Sequence, residues 1–149
     1  MKKFFFSLDT VLKYKEQILE NLRSEHARIL MDVRECEQRI EQLEEDRYSW
    51  GKELDASRRK GVTINEIRTY ENYIEALRLK IGREKIRLAE LRQKEEEKKN
   101  EVVEAKKETS TIEKLKERKF EEYKKQGQKE EEIFIEEFVS TKNALEKLR

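Results

Sequence analysis

Apolar residues recur along this chain at alternating spacings of four and three, in two long stretches separated by a single break. Leu8, Leu22, Ile29, Cys36, Leu43 and Trp50 fall on one series of every seventh position; Leu12, Leu19, Val33, Ile40 and Leu54 fall on a second, offset by four. A 3.5-residue hydrophobic period keeps one stripe of a helix turned toward a partner, so this pattern is the a/d seam of a left-handed coiled coil. The pattern fails over residues 58–63 and then restarts. Ile67, Ile74, Ile81, Leu88 and Val102 form one new series, and Tyr70, Leu77, Leu91, Ala105 and Ile112 form the other. Two stripes joined by a short break predict an all-α protein, with two long helices folded into an antiparallel coiled-coil hairpin. Folding back about the break sets Trp50 against Ile74, Ile40 against Glu84, Leu12 against Ile112 and Leu8 against Leu115.

Boundary signals place the elements. Ser7 can cap the first helix, with Phe6 and Val11 as the two halves of a hydrophobic staple. After Gly61, the run Thr63-Ile64-Asn65-Glu66 fits a capping box flanked by Val62 and Ile67 in staple positions. The whole chain, residues 1–149, reads as one hairpin unit: helix one over about 7–58, a turn over about 59–63, and helix two paired over about 64–116. The seam of helix one is used up near residue 116. There the register of helix two changes, from Val102–Thr109–Lys116 to Phe120–Gly127–Phe134, a stutter that locally unwinds a coiled coil. Residues 117–149 are therefore expected to be an overhanging C-terminal helical arm, helical when bound and partly frayed when free.

Lys15, His26, Arg47, Glu84, Glu95, Lys98 and Thr109 interrupt the seam with polar groups. The pairing brings His26 near Glu95 and Lys98 in one polar layer. Such a layer sets register, because a polar residue at a core position penalises misaligned pairing. A metal site needs more ligands than one histidine and scattered carboxylates, so no metal is expected. Cys36, the sole cysteine, lies on the seam and reads as a small buried hydrophobe.

Composition narrows the function. Of 149 residues 46% are charged and none is proline, which suits long helices; the sustained apolar repeat argues against disorder. The balance of 35 basic against 34 acidic residues lacks the basic excess of a nucleic-acid clamp. Isolated glycines cannot cradle a phosphate, and the lone histidine has no nucleophile arranged with it. Catalysis, a cofactor and a small-molecule substrate are not expected. The apolar run at Phe4-Phe5-Phe6 stops too soon for a signal peptide, and no stretch approaches a membrane span. The expectation is a cytoplasmic protein that is monomeric when isolated.

Two apolar groups lie off the seam: Phe4, Phe5 and Phe6 at the start, and Ile133, Phe134, Ile135, Phe138 and Val139 in the arm. Concentrated aromatics mark interfaces. The triple phenylalanine can pack on the arm as a local plug, or dock a partner, or do both.

The opening Phe4-Phe5-Phe6-Ser7-Leu8-Asp9-Thr10-Val11-Leu12 resembles the Phe-x-Phe-x-Leu-x-x-Val/Leu-Leu start of the flagellar export protein FliJ family. Ile112-Glu113-Lys114-Leu115-Lys116-Glu117-Arg118 and Glu136-Glu137 resemble its C-terminal part, and the likeness covers essentially the whole chain. The resemblance implies a component of the flagellar type III export apparatus, similar to the central-stalk gamma subunit of rotary ATP synthases. It implies binding to the export ATPase FliI, promotion of its ring assembly, and contacts with the export-gate protein FlhA and with export chaperones. It also implies peripheral association, through those partners, with the inner face of the membrane at the flagellar base. Carried onto this chain, the gate-binding face falls on Leu43, Trp50, Tyr73 and Leu77, while Arg39, Asp46, Lys80 and Glu84 depart from the family's pattern. The ring-binding candidates are Phe4, Phe5, Phe6, Phe120, Phe134 and Phe138. Two other readings are a self-associating parallel coiled coil and the central-stalk subunit of a rotary ATPase itself. The capped break favours a hairpin over the first. About five residues between the helices disfavour the second, whose F-type gamma subunit carries a globular domain between its terminal helices.

Overall fold

The computed structural model describes residues 2–148 and contains two α-helices, α1 over Asp9–Lys60 and α2 over Ile64–Lys147. The helices pack against each other as an all-α hairpin. Their connection is shorter than the expected turn. Arg58, Arg59 and Lys60 stay helical in the last turn of α1, where their positive charge complements the exposed carbonyl end of the helix. Gly61 then adopts φ +78°, and its amide donates to the Arg58 carbonyl at 3.3 Å. This left-handed geometry closes a helix C-terminus and suits glycine because no Cβ meets the backbone. The start of α2 keeps one half of the capping box: the Glu66 amide donates to Thr63 Oγ1 at 3.3 Å and the Ile67 amide to the Thr63 carbonyl at 3.2 Å, while the Glu66 carboxylate makes no return hydrogen bond among the described residues.

The start of α1 differs from expectation. Ser7 makes no capping bond among the described residues. Instead the Asp9 amide donates to the Phe6 carbonyl at 3.1 Å, the chain turns through Ser7 and Leu8, and the helix begins two residues late. Asp9 supplies the negative charge of the first turn in place of a hydroxyl cap.

The chain divides into two compact units, Glu20–Val103 and Met1–Leu19 with Glu104–Arg149. In the first, the ion pairs Glu25–Lys98 at 2.9 Å, Arg39–Glu84 at 3.3 Å and Arg58–Glu71 at 2.8 Å fix the antiparallel register. Val33, Cys36, Ile40 and Leu88 form a buried cluster with Leu91 against it, and Leu54, Leu77 and Ile81 are also buried. Cys36 is fully buried, and its thiol donates to both the Glu84 carbonyl and Oε2 at 3.5 Å. Burial first, and then the adjacent Glu84, push the Cys36 thiol up. Burial likewise acts to raise the Glu84 carboxyl, but the hydrogen bonds from Arg39 and Cys36 and the charges of Arg39 and Arg87 outweigh it. Glu84 therefore stays below the usual glutamate range. The polar layer forms as well: His26 Nε2 lies 2.8 Å from Glu95 Oε1, while Lys98 reaches Glu25 and, at 2.8 Å, Glu101. Arg47, by contrast, is exposed, in a groove that it lines with the seam residues Leu54 and Ile74.

In the second unit, Lys15–Glu108 at 2.9 Å and Asp9–Lys116 at 2.8 Å again run antiparallel. Leu12, Leu19 and Ala105 are buried. Thr109 is buried too, and its hydroxyl donates to the Ala105 carbonyl at 2.8 Å, so this polar seam residue is satisfied within its own helix. Leu8, the first seam position, is left at 36% exposure. The register change in α2 has a local cause. The non-helical segment ahead of α1 takes over as packing partner, with Phe6 buried and Phe4 against Phe120 and Tyr123. Packing thus reaches Tyr123 and Gly127 rather than stopping near residue 116. Residues 128–148 are exposed, and α2 continues through them to Lys147. Among the described residues, no buried side-chain nitrogen or oxygen lacks a hydrogen-bond partner.

Candidate protein-interaction surfaces

Tyr70 and Tyr73 lie one turn apart on α2, and Glu66 and Thr69 share their face by the same three- and four-residue spacing. Trp50 of α1 meets both rings. Its centroid is 5.7 Å from Tyr70 at 52° and 4.7 Å from Tyr73 at 62°, tilted and edge-to-face arrangements that suit aromatic quadrupoles. Together Trp50, Glu66, Thr69, Tyr70 and Tyr73 line an open cleft of about 480 Å³. Tyr73 is 46% exposed, whereas Trp50 and Tyr70 are half-buried. Of the four residues carried over for the gate contact, Trp50 and Tyr73 therefore come together at a surface. Leu43 is half-buried and Leu77 is buried in the seam. Tyr70, which the periodicity assigns to the seam alone, is a wall of the same cleft.

The second unit holds the other aromatic group. Phe4 packs edge-on against Phe120 at 5.1 Å and tilted against Tyr123 at 5.4 Å, while Phe120 and Tyr123 stack at 6.2 Å. The Tyr123 hydroxyl donates to the Lys2 carbonyl and ties down the N-terminal segment. Lys124 Nζ lies 4.6 Å above the Phe120 ring. The local plug is thus formed by Phe4 and Phe6, and Phe5 between them is left 84% exposed. Tyr123 escapes the heptad pattern, although its place one turn after Phe120 puts both on one helix face.

Phe134 and Phe138 are not part of this group. They are exposed on α2 with Ile133, Ile135 and Val139, interleaved with Glu130, Glu131, Glu132, Glu136 and Glu137. Spacings of four pair Phe134 with Phe138 and Ile135 with Val139, and the three-residue step from Ile135 to Phe138 joins the two pairs on the helix surface. Among the described residues, no group of three histidine, cysteine, aspartate or glutamate side chains is placed to hold a metal ion, and no helix is long and apolar enough to cross a membrane. What these surfaces offer chemically is aromatic and aliphatic area with charged rims, the composition of protein contact sites.

No curated protein and no solved structure matches the chain. Residues 4–145 do match a protein family, described as "Flagellar FliJ protein", so the match takes in both helices and the aromatic groups of both units. The chain therefore belongs to the flagellar FliJ protein family and is an export-related flagellar protein.

Proposed function

We propose that this protein is a non-enzymatic stalk component of the flagellar type III export apparatus. It binds the export ATPase ring through the exposed part of α2 and the N-terminal phenylalanines, and promotes ring assembly and activity. It contacts the export gate through the Trp50–Tyr73 cleft, and it also binds export chaperones. Its place at the inner face of the membrane is held through partners alone.

The observation that carries this reading is the row of large apolar side chains on α2 with nothing of the chain over them. Ile133, Phe134, Ile135, Phe138 and Val139 are between 48% and 69% exposed. Apolar area of this density marks a contact site. Five glutamates within and beside the row disfavour an anionic lipid surface, which attracts lysine and arginine instead. A protein partner with basic groups around an apolar strip suits it. A ligand that binds only the assembled ring shifts assembly by ordinary linkage, so stimulation needs no catalytic group on this chain.

Truncation after Gln128 tests the reading, because it keeps Phe120 and Tyr123 and with them the packing of the N-terminal segment. The truncated protein should lose stimulation of ATP hydrolysis by the export ATPase and still bind the gate protein. Full stimulation by the truncated chain would remove the exposed stretch from the mechanism.

A further inference from the structure

Three aromatic walls and one carboxylate line the cleft of the Glu20–Val103 unit. Trp50 is inclined by 52° to Tyr70 and by 62° to Tyr73 rather than stacked flat on either, and the three rings line the open recess. Glu66 sits on its rim and makes no ion pair or side-chain hydrogen bond among the described residues. The position of Glu66 in the first turn of α2 is favourable for the helix on its own account. Its carboxylate is nonetheless the only charge lining this cleft.

Elsewhere the chain supplies its own cations to its aromatic faces. Lys52 Nζ lies 4.7 Å from the Tyr48 centroid, and Lys124 Nζ lies 4.6 Å from that of Phe120. The cleft beside Phe120 also has Lys116 in its lining. The three rings of the Trp50 cleft have no such cation among the described residues. The negative faces of aromatic rings attract cations, tryptophan most strongly. A neighbouring carboxylate adds a charge-assisted hydrogen bond. Guanidinium fits this pairing better than ammonium, because its plane stacks on a ring while its edge donates two N–H groups to one carboxylate.

We propose that the cleft is an aromatic receptacle for an arginine side chain of the protein partner docked there, with Trp50, Tyr70 and Tyr73 around the guanidinium and Glu66 on its edge. This rests on the assignment of the cleft to the export gate. It adds that the gate's anchoring residue is basic, where an apolar cleft alone would call for an aliphatic or aromatic one.

Trp50 is the sole tryptophan of the chain, so its fluorescence reports on this cleft alone. N-acetyl-arginine amide is titrated into the full-length protein at constant ionic strength, beside the neutral isostere N-acetyl-citrulline amide. The arginine probe should give a saturable change in Trp50 emission that the citrulline probe does not reproduce. Glu66→Gln and Tyr73→Ala should each raise the half-saturating concentration roughly two- to five-fold, as removal of one exposed contact of this kind does, with helicity unchanged. Equal responses to the two probes, no saturable response, or indifference to both substitutions overturns the arginine assignment. Gate binding is measured on the same variants. If Tyr73→Ala weakens gate binding while the parent chain ignores the arginine probe, the inference falls and the gate surface stands. Gate binding unchanged in Tyr73→Ala removes the gate surface and the inference together.

Discussion

At the scale of single residues, polar groups in the seam are the positions where pairing choices become visible. Glu84 and Asp9 both ionise more readily in the folded chain than carboxyls ordinarily do. For Glu84, burial opposes this and the Arg39 and Cys36 bonds prevail; for Asp9, the hydrogen bond from Lys116 leads. A carboxyl whose folded pKa is depressed contributes stability that is complete above its unfolded value. That stability is lost as pH falls through the folded one. The ordinary values are 4.5 for glutamate and 3.8 for aspartate. Melting temperature should therefore hold from neutrality down to about pH 5 and fall below that, and Glu84→Gln should flatten part of the fall. An acid limb identical in Glu84→Gln would show that the Arg39 contact does not stabilise the fold. Cys36, buried and held protonated by its surroundings, should resist thiol reagents until the chain is unfolded. Alkylation of the native protein as fast as of a free thiol would contradict its burial.

At the scale of elements, the best-specified boundary is the hairpin break, and it can be tested from both sides. Gly61→Ala places a Cβ on a residue at φ +78° and should destabilise by about 1–2 kcal/mol. The cause is backbone strain and not crowding, since nothing lies within 4 Å of where that Cβ would be. Thr63→Ala removes the cap on the Glu66 amide and should cost about 1 kcal/mol. In the seam, Ile81 is 4% exposed while Leu22 is half-buried. Ile81→Ala should cost about 2–4 kcal/mol and Leu22→Ala distinctly less, because the penalty scales with burial and with the cavity left behind. Urea unfolding followed by circular dichroism measures all four. These boundaries and seams were legible because a seven-residue period and a Gly–x–Thr–x–x–Glu signal are local. The start of α1 was not. Ser7 is a residue type that caps helices and is flanked by a hydrophobic staple, but Phe6 is drawn into the packing and its carbonyl takes the Asp9 amide instead. The same packing explains why pairing was expected to end near residue 116: a non-helical segment that continues a seam has no period to reveal it.

At the scale of the whole molecule, the proposed partners dock on surfaces in different units. In each unit most of the α1 stripe is covered by α2, so among the described residues no long seam is left to recruit a second copy. One chain per particle is the expected result of a mass measurement in solution, and a stable dimer would point to self-association. The candidate sites were only half legible. Trp50 and Tyr73 could be brought together by register, but whether Leu43 and Leu77 face a partner or the seam depends on burial, which spacing does not reveal. Phe4 and Phe120 meet, yet Phe134 and Phe138 stand apart from them, a division that composition alone cannot draw. The most direct test of the account measures the binding of both partners, export ATPase and gate protein, to two variants of the full chain: Tyr73→Ala, and the pair Phe134→Ala with Phe138→Ala. Each variant should lose affinity for its own partner only, the first for the gate and the second for the ATPase, with helical content unchanged. Loss of both partners by either variant, or of neither partner by both, would contradict the account.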